Sequence, residues 1–478
     1  MEHYISKNKL EPNQVSVLRA SFYSLATILP FGVFGFAAIG VISFTPYAVE
    51  AFLVGFLVTL VSIGIAIPFS KRISNAGGWA AYAAAGAGKQ IGYLTGWAYA
   101  GGYTVSTGAL AATTGYLTSV FVSYFYNVTL PLYLVYIIDI SVILVAFFIV
   151  RLKVKLMTYV GAIIGAIEVG SALIIAISII VLIGGHNSLQ PLTFPKISAL
   201  PAFFVGFIVG ALGSYSGYGV ILTLSEESRI PKRNIAKALL LTVVTAAVVF
   251  ILGTYAIVAG WGFSNLSSLV SLTAPGYTVI GKYLGKSIAI YALVLLLIAD
   301  YGTAIGLMGA ASRVYYSLGR DRIIPQWFSK LNKGDVPGNS SLLIALVGLI
   351  LTLGLTQIFV LLYGAVEGVF YGVAVLGLFG TFVFIFYHIT TSISMPIYFK
   401  KIDQFKYYYI ILPVIAIAVF LIILYYSLLG ITMPLLIMPI AVVIWLILGF
   451  ILIRRNIKLY DIKEFKLDQD QLEEGNVK

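Results

Sequence analysis

Ala26-Thr27-Ile28-Leu29-Pro30-Phe31-Gly32-Val33-Phe34-Gly35 lies inside the apolar stretch 20–42, and it does not read as an uninterrupted helix. Pro30 removes one backbone hydrogen bond, and Gly32 and Gly35 weaken the turn that follows. A second stretch, Gly210-Ala211-Leu212-Gly213-Ser214-Tyr215-Ser216-Gly217-Tyr218-Gly219, places four glycines in ten residues of the apolar segment 201–225. In lipid, unwound backbone is tolerated only where it is buried in protein or faces a cavity. Glycine also serves close packing between membrane helices, which is the plainer reading of either stretch alone. The two breaks fall in the first and sixth apolar segments, the relation expected of two five-helix repeats of opposite topology with a binding site between them.

The surrounding composition supports a membrane protein. The chain has 478 residues, 60% of them hydrophobic and 10% charged, with a mean hydropathy of +1.00. Soluble domains carry about 25% charged residues. Stretches long enough to cross the hydrocarbon occur at 20–42, 47–69, 92–126, 132–150, 156–184, 201–225, 235–260, 286–317, 341–362, 372–398, 408–429 and 432–453. At about 20 residues per crossing these predict twelve transmembrane helices, an all-α integral membrane fold. With the N-terminus placed inside, 27 of the 30 Lys and Arg fall in inside segments, and only Lys196, Lys282 and Lys286 lie outside. The positive-inside rule then predicts a multi-pass cell-membrane protein with both termini cytoplasmic. The net charge of +12 is spread among these short clusters, which argues against nucleic acid as a partner. Residues 1–19 read as a cytoplasmic N-terminus without a signal peptide, and 454–478 as a polar cytoplasmic tail. The longest outside segments are 185–200 and 261–285, and the second reads equally as a surface helix or a plain loop. With no cysteine and only His3, His186 and His388, far apart in sequence, neither a metal site nor a cofactor is expected.

Four further motifs make the assignment specific. Ser70-Lys71-Arg72-Ile73-Ser74-Asn75-Ala76-Gly77-Gly78-Trp79-Ala80-Ala81-Tyr82 follows the second span, and Gly92-Tyr93-Leu94-Thr95-Gly96-Trp97 opens the third. Ser225-Glu226-Glu227-Ser228-Arg229-Ile230-Pro231-Lys232-Arg233-Asn234-Ile235 follows the sixth, and Ser312-Arg313-Val314-Tyr315-Tyr316-Ser317-Leu318-Gly319-Arg320-Asp321-Arg322-Ile323-Ile324-Pro325 closes the eighth. In order and in position these resemble the amino acid–polyamine–organocation superfamily of permeases. Two places depart from its pattern: Asp321-Arg322 stands where members often have Asp-Gly, and Pro30 near where many have Gly-x-Gly.

The resemblance implies a leucine-transporter-like fold: a first repeat over 20–184, an inverted second repeat over 201–398, and two further helices over 408–453. It also implies amino-acid transport by alternating access. The helix ends at the breaks suit a zwitterion, with N–H groups for its carboxylate and carbonyls for its ammonium. The expected donors lie near Pro30, Gly32 and Gly35, and the acceptors near Ala26, Thr27, Ile28 and Gly213, Ser214, Tyr215, Ser216, Gly217. Span three is expected to line the pocket at Gly102, Tyr103 and Thr107, and span eight near Thr303, with Tyr103 and Tyr215 as the aromatic walls.

Asp139, Glu168 and Asp300 fall well inside apolar spans without a Lys or Arg beside them. Such residues are costly unless neutral or facing a polar cavity, and mark functional sites in membranes. The resemblance implies that a proton-coupled member carries its titrating group on span five, which makes Glu168, on a small-residue face with Gly161 and Gly165, the candidate for proton coupling. Asp300, or a sodium ion near Thr303, is the alternative. A structural carboxyl bonded to a neighbouring helix is the plainer reading. Glu226 and Glu227 read as part of a cytoplasmic ion-pair cluster with Arg229, Arg233 or Arg72. A channel would show a repeated selectivity element or a ring of charge, and an enzyme a convergent set of catalytic groups; neither pattern is present. Polyamines or organic cations remain rival substrates, and exchange a rival to symport.

Overall fold

The computed structural model describes residues 10–228, 231–429 and 431–462, all but residues 231–233 with their side chains. Nearly every apolar stretch becomes helix, because in hydrocarbon a helix satisfies its own backbone. Among the described residues, eleven helices are long and apolar enough to cross a membrane, and twelve spans result when the bent pair Ile197–Leu212 and Ser216–Thr223 is counted as one. Among the described residues, pairing of the strand kind is confined to one isolated bridge between Val15 and Ser228.

Three local features differ from the sequence reading, and helix in the segment 261–285 is one of the two readings it left open. The last span begins at Ile437 rather than 432, because Pro434 lacks the N–H a helix running through it would need. It then runs on to Leu459, so Arg454, Arg455 and Lys458 sit on helix rather than in a polar tail. The segment 261–285 holds two short helices, Leu266–Val270 and Pro275–Leu284. The loop after span two contains a buried helix, Trp79–Ala87, bracketed by Gly78 (φ 54°) and Gly88 (φ 88°). Lys7, Lys9, Arg229, Lys463, Lys466 and Lys478 lie outside the described residues, as do the side chains of Lys232 and Arg233.

The broken spans one and six occupy the middle. Span one packs along span five (Val154–Ile183), and the close approach depends on Gly165: a β-carbon there would lie 2.1 Å from the Phe22 carbonyl oxygen. Span three (Lys89–Tyr126) packs along span ten (Ala365–Lys401) and span eight (Lys286–Arg320), and these three wall the centre. Span twelve is clasped to span three by Trp97 and Trp445. Their rings stack at 4.2 Å, and each indole N–H donates to the other's carbonyl, at 3.0 and 3.3 Å.

Candidate substrate site at two broken helices

The first helix of span one, Val17–Ile28, ends where Leu29 takes a left-handed conformation (φ 60°, ψ 59°) and donates its N–H to the Leu25 carbonyl at 3.0 Å. Pro30 and Phe31 form a turn, and the chain rewinds through a wide π-helical turn, Val33–Ala37. Span six does the same in reverse order: a π-helical stretch, Phe207–Leu212, then a tight 3-10 turn, Ser216–Gly219, with a bend of 44° between the halves. The two breaks cross at Gly217, where a β-carbon would lie 2.7 Å from the backbone of Thr27 and Ile28. Each break therefore brings a helix C-terminus and a helix N-terminus to one place, with partial negative and positive charge respectively.

Beside the crossing lies a cavity of about 280 Å³. Of the residues expected from sequence, Thr27, Ile28, Gly102, Tyr103, Gly213, Ser214, Ser216 and Thr303 line it. Phe36, Leu110, Leu212, Leu307, Val383 and Phe384 give the wall much of its apolar surface, and no charged side chain is among the lining residues. Tyr103 donates its hydroxyl to the Ser216 carbonyl at 3.2 Å, tying span three to the break in span six. Thr303 donates to the Ala26 carbonyl at 2.8 Å, tying span eight to span one.

The remaining expected residues sit elsewhere. Gly217 forms the crossing with Thr27 and Ile28, Ala26 accepts from Thr303 just before it, and Pro30 lies in the turn. Gly32 packs against the Phe36 ring, and Gly35 against Leu296 of span eight. Thr107 turns back to the Tyr103 carbonyl at 2.8 Å. Tyr215, expected in the pocket wall, points away from it: its hydroxyl donates to the Phe52 carbonyl at 3.1 Å and its ring meets Phe250 edge-on. Span ten, which the sequence reading left out of the site, contributes Gly377, Gly380, Thr381, Val383, Phe384 and Tyr387. Its signal was a small-residue pattern: a β-carbon at Gly380 would meet Ser106 Oγ at 2.6 Å, and one at Gly102 would meet Val383 at 2.7 Å.

Toward the face that carries the basic clusters, the cavity is sealed. Tyr103, Tyr99 and Tyr387 pack ring against ring, and Trp79 and Tyr218 lie against His388, whose Nε2 is 3.0 Å from the Tyr218 hydroxyl. Below them Glu227 and Arg313 form a fully buried pair, with Nε to Oε2 at 2.5 Å and Nη2 to Oε1 at 3.0 Å. Glu226 pairs with Arg320 at 3.2 Å and accepts the Ala76 N–H at 2.8 Å. The expected ion-pair cluster thus takes its cations from the end of span eight rather than from Arg72; Arg229 and the Arg233 side chain lie outside the described residues. On the other side the wall is exposed at Gly213 and Gly377.

Besides Glu227, four carboxyls are buried in the spans among the described residues. Glu168 is fully buried behind the break in span one, where the Phe31 amide faces it and Asp300 is close enough to interact; neither carboxyl oxygen completes a hydrogen bond. Asp300 accepts from Thr114 at 3.0 Å, while Asp139 fills the space beside Gly115. Glu50, not singled out from sequence, is 2% exposed in the first turn of span two, where a helix N-terminus favours an acid.

Two stability predictions follow from this geometry. A β-carbon at Gly213 meets nothing within 4 Å, whereas one at Gly217 collides with backbone. Gly213→Val is expected to keep the melting temperature of the purified protein and weaken substrate binding at least tenfold. Gly217→Val is expected to lower the melting temperature. Equal melting losses in the two would contradict this placement. Arg313→Met alone strands a buried carboxylate and is expected to cost about 3–5 kcal/mol, most of which Glu227→Leu added to it restores. Denaturation of the single and double variants checks this, and additive losses would count against it.

Comparison with known proteins agrees with the architecture. The Branched-chain amino acid permease BcaP of Lactococcus lactis subsp. cremoris (strain MG1363) is 28% identical over 142 residues, 29% of this chain and 29% of that protein. The Uncharacterized transporter Rv1999c of Mycobacterium tuberculosis (strain ATCC 25618 / H37Rv) is 29% identical over 136 residues, 28% of this chain and 30% of that protein. The matched stretches thus span less than a third of these relatives' own length. The amino acid permease family covers far more, matching residues 19–472, and it is a family of transporters rather than enzymes. From the broken spans, the superfamily motifs and this match together, the chain belongs to the amino acid permease family of the amino acid–polyamine–organocation superfamily.

Proposed function

We propose that the chain is a secondary active transporter that moves amino acids across the cell membrane by alternating access, coupled to protons. One observation carries the reading: two broken helices cross beside a cavity whose lining holds no charged side chain. A zwitterion needs both signs of partial charge at close range, and the helix ends supply both without buried ions. A polyamine would call for carboxylates, which the lining lacks. The cavity, at about 280 Å³, sits at the small end of ligand pockets, which run about 300–1,000 Å³, and so suits one amino acid. Its wall of Leu, Val and Phe side chains favours a neutral, apolar side chain, in keeping with the branched-chain substrates named for the Lactococcus relative.

The two breaks in the first and sixth spans are the relation expected of inverted five-helix repeats, and the one-sided seal reads as an outward-facing state with both termini cytoplasmic. Glu168 is the coupling group in this reading. It lies behind the break rather than in the cavity, so movement of span one changes its surroundings without contact with substrate. Ionised there it would lack both hydration and a basic partner, which costs several kcal/mol. Thr303, the alternative anchor for a sodium ion, already gives its proton to the Ala26 carbonyl.

A proteoliposome screen of labelled amino acids, with and without pH and sodium gradients, tests the proposal. Leucine, isoleucine or valine is expected to accumulate on an inward proton gradient, with no effect of sodium. Glu168→Gln is expected to retain binding and exchange but lose accumulation. Normal accumulation in that variant would make Glu168 structural and move coupling to Asp300 or to sodium near Thr303. Absence of saturable uptake and counterflow would favour a channel.

A further inference from the structure

A second cleft, of about 320 Å³, opens where span two ends and the turn between spans ten and eleven begins. Lys71, Arg72 and Lys406 converge on it, walled by Phe399, Tyr408 and Tyr409. We propose that this cleft binds the phosphate of an anionic phospholipid from the adjoining membrane leaflet. Among the described residues, no carboxylate comes within 4.0 Å of any of the three cations; the three ion pairs found all use Arg313 or Arg320. The carbonyls at the end of span two do not take their place, since Ile67 and Phe69 accept the N–H groups of Lys71, Arg72 and Ile73 at 2.8–3.2 Å. Three positive charges held in one concavity without a counter-ion repel each other, and an anion relieves that.

The geometry favours phosphate on a lipid. An Arg fork with two ammonium groups suits a tetrahedral oxyanion. The aromatic wall is preformed, with Phe399 and Tyr409 stacked at 4.1 Å and Tyr408 4.3 Å from Tyr409. Arg72 lies close enough to Tyr398 and Tyr409 to act on both hydroxyls electrostatically. Tyrosine and basic residues at the end of a span mark headgroup level. Beyond Tyr408 and Tyr409, span eleven exposes Ile410, Ile411 and Val414, at 47%, 55% and 59%, an apolar surface for acyl chains. The cleft is far from the cavity in lining and chemistry, so this inference depends on the membrane reading but not on the transported substrate.

Native mass spectrometry of the full-length protein, delipidated in detergent and titrated with phosphatidylglycerol or phosphatidylcholine, tests it. One phosphatidylglycerol is expected to be retained selectively. Each of Lys71→Gln, Arg72→Gln and Lys406→Gln is expected to weaken retention about fivefold, as for about 1 kcal/mol per basic residue near an anionic surface. Arg454→Gln with Arg455→Gln, an equally basic pair on the last helix, is expected to leave it unchanged. Unchanged retention in all three single variants would overturn the site. Displacement by millimolar inorganic phosphate would assign the cleft to soluble phosphate instead of lipid. Stronger retention after removal of residues 463–478, which carry Glu464, Asp468, Asp470, Glu473 and Glu474, would assign it to the chain's own tail.

Discussion

Backbone hydrogen bonding is the constraint on which this structure depends. A chain in hydrocarbon has no water to satisfy a free N–H or C=O, so every departure from helix must be enclosed by protein. Here the two departures enclose each other. The break in span one meets the break in span six at Gly217, and side chains from the surrounding spans complete them, Tyr103 on Ser216 and Thr303 on Ala26. The cavity is the space left once those partners are in place.

The same logic accounts for the acids. A carboxyl in a span needs either a fixed cation or surroundings that suit its neutral form. Glu227 has the first, in Arg313; Glu168 has the second, with no cation beside it. Two glutamates of one chain, both fully buried, thereby differ in their surroundings: one is held by a guanidinium beneath the cavity, and the other, in the proposed cycle, takes up and loses a proton as span one moves. A small residue makes the second arrangement possible, because Gly165 lets span five reach the backbone of span one a turn away from Glu168.

Most of the helices were legible because span length and charge asymmetry are written along the chain, with boundaries within a few residues of the structural ones except in spans ten and twelve. Trp79–Ala87 was not, since Ala, Gly and aromatic residues between two spans look alike in a loop and in a short buried helix. At the site, the breaks were legible from Pro30 and the glycines. Which way a side chain turns from a break was not: Tyr215 and Ser216 are neighbours, yet one packs against Phe52 and Phe250 while the other lines the cavity. The part span ten plays in the site was not legible because a glycine at a cavity wall reads the same as a glycine at a helix contact, and Val383, Phe384 and Tyr387 read the same as any apolar side chain of a span. Arg313 was missed as a buried cation because its partner lies 86 residues away, in a different span.

The one-sided seal below the cavity also has an electrical consequence. In the proposed outward-facing state, water entering from the exposed side brings that side's potential down to the level of the breaks, so the membrane voltage no longer falls evenly over the bilayer. It drops mainly across the packed tyrosines, Trp79 and the Glu227–Arg313 pair. A charge carried through that short region works against nearly the full field, about 2.3 kcal/mol per 100 mV. The thickness of the aromatic plug, rather than of the membrane, then sets the distance over which voltage does work on the protein.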